Sequence, residues 1–293
     1  MLATTPERPA AASPAGEPAG AAAPAAPAKR PIGHTTEAPA VVRDGDVAVV
    51  DCRGVYYRAV NEAVRAAVQD GATTVRLENV NGQRYIGTGL RGEALRIEVQ
   101  GTPGQAVAMF MDGPTVEIFG NAQDGVGNTM NSGRVIVHGS AGDVLGYGMR
   151  RGRVLVEGDA GYRAGIHMKA SEGAGPAVVC GGKARDFFGE YMAGGTLVLL
   201  GVSSRVDGPI VGGHLGAGMH GGEIYVRGEV LPWQCGGEVR VAPATEAETQ
   251  GLTPLLEEFC DAFGTSLAEL LAEPFTRIAP AGARPYARLY TYL

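Results

Sequence analysis

The 293-residue chain has no run of about 18 or more apolar residues, so nothing in it is expected to span a bilayer. Its four cysteines, Cys52, Cys180, Cys235 and Cys260, stand far apart and form neither a CxxC pair nor a cluster-ligand run. That pattern excludes a structural zinc or an iron–sulfur cluster held by this chain alone, and points to buried, reduced thiols. No basic start with an apolar core opens the sequence, so the expected location is the cytoplasm. Aromatic residues make up only 6%, with a single Trp, and the formal charge of −6 leaves no basic stripe for nucleic acid. What is abundant is glycine: 46 residues, nearly one in six, against a usual share of about 7%. The hydrophobic content of 45% excludes disorder of the whole chain.

Residues 1–40 hold 14 Ala and 8 Pro with hardly a large apolar side chain, too little to offset chain entropy. They are expected to form a disordered tail. Residues 41–80 read as a small α/β cap. Asp46–Val50 suggests a strand, Tyr56, Val60, Val64, Ala67 and Val68 recur at helical spacing before Gly71, and Val75 and Leu77 begin a second strand. Residues 81–232 are periodic. Residues 233–293 carry an apolar helical stripe (Leu252, Leu255, Leu256, Phe259, Cys260 and Phe263), a shorter helix from Ser266 to Leu271, and a tail from Phe275 expected to run extended over a surface.

The period determines the expected fold. Glycines at Gly101, Gly120, Gly139, Gly158, Gly182, Gly201 and Gly228 are separated by 19, 19, 19, 24, 19 and 27 residues. Methionines follow in register at Met111, Met130, Met149, Met168, Met192 and, after an insertion, Met219. Four and two residues before each glycine stand Ile97/Val99, Val116/Ile118, Val135/Val137, Val154/Val156, Val178/Cys180, Leu197/Leu199 and Ile224/Val226. These pairs alternate with outward positions at the strand period of two. A repeat of about 20 residues with β character indicates a solenoid. The expected fold is therefore all-β: a right-handed parallel β-helix of about seven coils, with an interior methionine column and the longer gaps extruded as loops at Ala170–Pro176 and Ser203–Gly213. The outward strand positions change character along the stack. Glu98 and Glu117 suit water, but Ile136, Leu155, Val179, Val198 and Tyr225 do not, so either the C-terminal helix or another protein must cover them.

Candidate chemistry is sparse. GTGLRG (Gly87–Gly92) and GAGMHG (Gly216–Gly221) match a dinucleotide fingerprint, yet a strand rather than a helix should follow each, which removes the phosphate site. Asp124 and Asp143, one coil apart, and Asp186 in a later coil would be stacked carboxylates at about 4.8 Å. A retaining glycosidase pair has a similar separation, which keeps a carbohydrate-active β-helix in view. The simpler reading is that these side chains accept turn N–H groups. His138, His167, His214 and His220 fall at different positions in their coils and suit a surface better than a metal. The trio Arg150, Arg151 and Arg153 suits a solvated or partner-facing edge better than a phosphate pocket.

The stretches GNAQDGVGNTMNSG (Gly120–Gly133), AGDVLGYGMRRG (Ala141–Gly152), GYRAGIHMK (Gly161–Lys169), FGEYMAGG (Phe188–Gly195) and GAGMHGG (Gly216–Gly222) resemble the GXGXG β-helix domain. That domain ends the large subunit of glutamate synthase and occurs as a separate chain in split glutamate synthases and N-methylglutamate synthases. The C-type subunit of formylmethanofuran dehydrogenase, and of the related formyltransferase/hydrolase complex, is a more distant relative. The resemblance covers about Asp51 to Gly228. It implies a scaffold with no catalytic, cofactor-binding or metal-binding residues of its own. Its expected partners are a glutamine amidotransferase-like (glutaminase) subunit and an FMN-dependent glutamate synthase-like subunit, with FMN and the iron–sulfur cluster on the latter. No Cys follows Met1 to serve as a glutaminase nucleophile.

Overall fold

The computed structural model describes residues 34–171, 175–204 and 206–282. Of the tail expected over residues 1–40, only 34–40 fall in that range, and the rest lies outside the described residues. Within 34–40, the Thr35 N–H donates to Gly54 O and Thr35 O accepts from the Tyr56 N–H, at 2.8 Å each. Strands β1 (Val41–Asp44) and β2 (Val47–Asp51) form an antiparallel hairpin. Helix α1 (Tyr57–Gln69) then leads to β3 (Thr74–Asn81), which pairs parallel to β2. One stripe of α1 buries Ala59, Val60, Val64 and Ala67, and Gly71 leaves the helix at φ +87°, a left-handed exit that costs glycine little. Buried Asn61 donates through Nδ2 to the carbonyls of Tyr57 and Arg84, both at 2.8 Å, which fastens α1 to the first coil.

Strands β4 (Arg96–Thr102), β5 (Thr115–Phe119), β6 (Arg134–Val137), β7 (Arg153–Val156), β8 (Ala177–Cys180), β9 (Ala193–Leu199) and β10 (Gly221–Arg227) follow. Each lies parallel to the next, in register except for a shift between Gly221 and Glu223 where β10 meets β9. The residues of the seven inward pairs and the six in-register methionines are all buried, each aliphatic burial contributing about 1.5–3 kcal/mol. The fold is thus the expected parallel β-solenoid with one change of count. The seven strands are present, but they bound about six turns rather than seven coils, since a turn runs from one strand to the next. A second line of contact, through single bridges between Ala122, Ala141, Ala160, Ala184 and Val211, follows each strand on the outgoing side.

The return path of each coil uses an alternating backbone. Positive φ recurs at every second residue: Gly125, Gly127 and Thr129, then Val144, Gly146 and Gly148, then Arg163, Gly165 and His167. Their N–H groups reach alternately to the following and preceding coils. Arg163 donates to Asp186 O, Gly165 to Leu145 O and His167 to Glu190 O, at 3.0, 2.7 and 3.0 Å. The middle position faces the core: a Cβ on Gly127 would stand 3.1 Å from Val154 Cγ2. Some of the outer positions, such as Ala106 and Gly125, are buried, while others carry exposed side chains such as Tyr85, Phe110 and Tyr191. A left-handed L-residue costs about 1–2 kcal/mol, and the hydrogen bonds to both neighbouring coils hold these residues in that conformation.

Beyond β10 come β11 (Val239–Pro243), α2 (Glu246–Phe263), α3 (Leu267–Leu271) and β12 (Phe275–Pro280). Helix α2 opens on a reciprocal cap. The Glu248 N–H donates to Thr245 Oγ1, and Glu248 Oε2 accepts from the Thr245 N–H at 2.7 Å. This helix covers the outward apolar stripe: Leu155, Val179, Val198 and Tyr225 pack with Leu252, Leu255, Leu256 and Phe259. The exposed end of the same face is ionic, with Glu98 and Glu117 held by Arg76, Arg96 and His138. The C-terminal tail departs from expectation. Instead of running over a surface, β12 inserts antiparallel between β10 and β11. It satisfies the open backbone edge of β10 while burying Phe275 and Ile278. Residues 283–293 of that tail lie outside the described residues. Buried amides serve both ends of the stack. Gln83 donates to the carbonyls of Cys52 and Val55, and Gln234 donates to Val211 O.

Candidate functional site

The stacked aspartates are committed to backbone. Asp124 Oδ1 accepts the N–H of Asp143 at 2.9 Å, Asp143 Oδ1 that of Tyr162 at 2.8 Å, and Asp186 Oδ1 that of Gly213 at 2.9 Å. The acceptor role matches the simpler expectation, except that the N–H belongs to the next coil rather than to the residue's own turn. A parallel ladder was not apparent from the sequence because its residue type changes. Asn121 Oδ1 takes the Ser140 N–H, Ser140 Oγ the Asp159 N–H, and Asp159 Oδ1 the Lys183 N–H. Both ladders tie coil to coil where no strand runs. Asp143→Ala is therefore expected to lower stability by about 1 kcal/mol. Asp143→Asn, which keeps an acceptor oxygen, should cost less than half as much. Urea denaturation midpoints of the two variants check this, and equal losses would contradict the acceptor role.

The histidines lie apart. His138 stacks on Phe119 with centroids 5.0 Å apart, and its Nε2 meets Glu117 Oε1 at 2.8 Å. His167 stacks on Tyr191 at 5.3 Å and meets the Tyr147 ring edge-on, while His214 stacks on Phe187 at 4.6 Å. Among the described residues no three His, Cys, Asp or Glu side chains converge where a metal ion would sit. The arginine trio diverges. Arg153 lies beside Glu258 of α2, Arg151 donates to Ser171 Oγ at 2.9 Å, and Arg150 points into a surface cleft. Of the cysteines, Cys52 and Cys180 are buried, and burial pushes both thiols up to about 12, so neither is a thiolate near neutrality. Both glycine fingerprints lead into strands, β4 and β10.

The Arg150 cleft lies on the alternating-backbone face, with a volume of about 300 Å³. Tyr147, His167 and Tyr191 form its aromatic wall, and Arg150, Lys169 and His220 supply its polar groups. Gly148 and Ala193, small residues in two successive ladders, leave the space open. Sequence reasoning missed it. The available signal was the residue after each in-register methionine: Asp112, Asn131, Arg150, Lys169, Ala193 and His220 occupy one register position. No helix among the described residues is long and apolar enough to cross a membrane.

Comparison with known proteins adds two findings. A family model described as the GXGXG motif matches residues 58–281. An uncharacterized protein of Methanocaldococcus jannaschii is 44% identical over 250 residues, covering 83% of this chain and 96% of that protein.

Proposed function

The chain belongs to the GXGXG motif family, and on that premise we propose that it is the non-catalytic scaffold subunit of a split glutamate synthase-type complex. In this reading it joins a glutaminase chain to a synthase chain carrying FMN and an iron–sulfur cluster. It fixes their geometry so that ammonia passes from one to the other in glutamate or N-methylglutamate formation. The observation that carries the reading is the family match over residues 58–281. Two structural features support it. The aspartates that would make a hydrolytic pair are engaged in inter-coil hydrogen bonds. With the apolar stripe covered by α2, exposed aromatics remain on the alternating-backbone face at Tyr85, Phe110, Tyr147 and Tyr191, a surface suited to partner chains.

Mild affinity purification from the native cell, with mass spectrometry and a visible absorption spectrum, tests the proposal. Co-elution of a glutaminase-like chain and a coloured flavin and iron–sulfur chain is the expected result. Recovery of amidohydrolase-like and formyltransferase chains would instead place the protein with the C-type subunits of formylmethanofuran dehydrogenase or the formyltransferase/hydrolase complex. A colourless solitary chain that cleaves a glycan would replace both readings with a carbohydrate-active enzyme.

A further inference from the structure

Adjacent coils stack like charges at several places: Asp124 and Asp143 accept backbone N–H groups of the following coil, and three further pairs are treated differently from one another. Glu98 and Glu117 are paired residues on β4 and β5; Arg76 and Arg96 neutralise them, and His138 Nε2 meets Glu117 Oε1. Arg134 and Arg153 are paired on β6 and β7, and Glu258 of α2 lies 3.2 and 3.9 Å from them. Arg150 and Lys169 occupy the same position of two successive coils, their N–H groups bonded to the carbonyls of Met130 and Met149. Neither has an acidic partner among the described residues, and no Asp or Glu lines their cleft. Like charges directly opposite on neighbouring strands are destabilising. In a chain of net charge −6, two stacked cations without a counter-ion therefore imply an anion supplied from outside.

The surroundings are organised to receive one. Arg150 donates through one terminal nitrogen to Asn131 Oδ1 at 3.1 Å, which braces the guanidinium, and its other donors have no partner among the described residues. The ring of His167 is fixed between Tyr147 and Tyr191. His220 Nδ1 rests 3.3 Å from Gly218 O, with Nε2 unengaged among the described residues. A guanidinium fork and an ammonium lining one cleft from two successive coils suit the oxygens of a compact dianion. The cleft volume of about 300 Å³ is that of a small-molecule site.

We propose that the Arg150–Lys169 cleft binds a small dianion, either a phosphate ester or a dicarboxylate. This site is independent of which partner chains the scaffold joins. Titration calorimetry of the full chain in low-salt buffer, with glycerol 3-phosphate and succinate as separate probes, tests it and distinguishes the two sources. Saturable one-to-one binding of one probe is expected, weakened at least roughly tenfold in Arg150→Gln/Lys169→Gln. Lys183→Gln, whose ammonium lies elsewhere against the carbonyls of Val206 and Gly208, should bind normally. Without any anion, Lys169→Gln should raise the melting temperature slightly by removing the like-charge neighbour, whereas a purely structural lysine would lower it. No saturable binding of either probe up to about 10 mM would overturn the proposal. So would binding that the double variant retains. Binding of a short poly-glutamate peptide but neither small probe would reassign the cleft to an acidic protein segment.

Discussion

Gly152→Ala is expected to lower stability by about 3 kcal/mol or more, enough to abolish much of the margin of an ordinary domain. Gly152 has φ +85° and precedes β7. A Cβ there would stand 2.5 Å from Gly133 O and 2.6 Å from Met130 Cε. Gly133 O is the same oxygen that accepts the Arg153 N–H at 3.0 Å. The clash therefore falls on backbone that is already fixed by an inter-coil hydrogen bond, and no rotamer change can relieve it. Gly148→Ala is the matched control. Gly148 is also left-handed, at φ +59°, but its nearest would-be neighbour is Thr129 Oγ1 at 3.6 Å. It should lose only the conformational cost of about 1–2 kcal/mol. Urea midpoints of the pair separate the two effects, and equal losses would show that backbone strain rather than coil spacing governs the glycine requirement.

Phe259→Ala should cost about 3–5 kcal/mol and change the surface as well as the stability. Phe259 is fully buried, and Gly181 leaves room for it: a Cβ on Gly181 would lie 2.8 Å from Phe259 Cζ. The ring sits where α2 closes over Leu155, Val179 and Val198. Its loss opens a cavity under the helix and loosens the cover that α2 gives those residues. The expected signature is a lower melting temperature together with strong binding of a hydrophobic dye at temperatures where the solenoid's circular dichroism is unchanged. A drop in stability without dye binding would mean that α2 stays seated through Leu252, Leu255 and Leu256 alone.

These two sites also separate what residue order alone reveals from what only folding brings about. The seven strands are legible in the sequence because inward pairs such as Val135 and Val137 recur at a fixed distance before a glycine, and the stacking of identical coils enforces that distance. Both halves of the α2 contact are legible too, as an outward stripe from Ile136 to Tyr225 and a helical stripe from Leu252 to Phe263. Their pairing is legible only as one of two possible covers, the other being a second protein, because it is a single long-range contact that no period repeats. The alternating backbone is hidden by composition. Val144, Arg163 and Tyr191 occupy positions where only a hydrogen bond to the next coil, not the residue type, dictates positive φ. Strand β12 escapes sequence reasoning because Phe275–Pro280 has too short an alternation to stand out, and its place is set by the vacant edge of β10. The cleft escapes it because Arg150 and Lys169 lie 19 residues apart and meet only once the coil length is applied to the position after the methionine.

The position of β12 bears on how the chain emerges during synthesis. The strands up to β10 can stack in the order in which they leave the ribosome, each new coil templated by the last. Strand β10 then waits. Its permanent neighbour is the last strand of the described residues, and β11, although made earlier, docks on that latecomer rather than on β10. For the time needed to translate about 50 further residues, a few seconds at ordinary rates, the growing end of the solenoid presents an open edge and the uncovered stripe of Leu155, Val179 and Val198. The nascent chain is therefore most vulnerable to association with its neighbours on a polysome in that interval, and a ribosome stalled before Phe275 would leave it so.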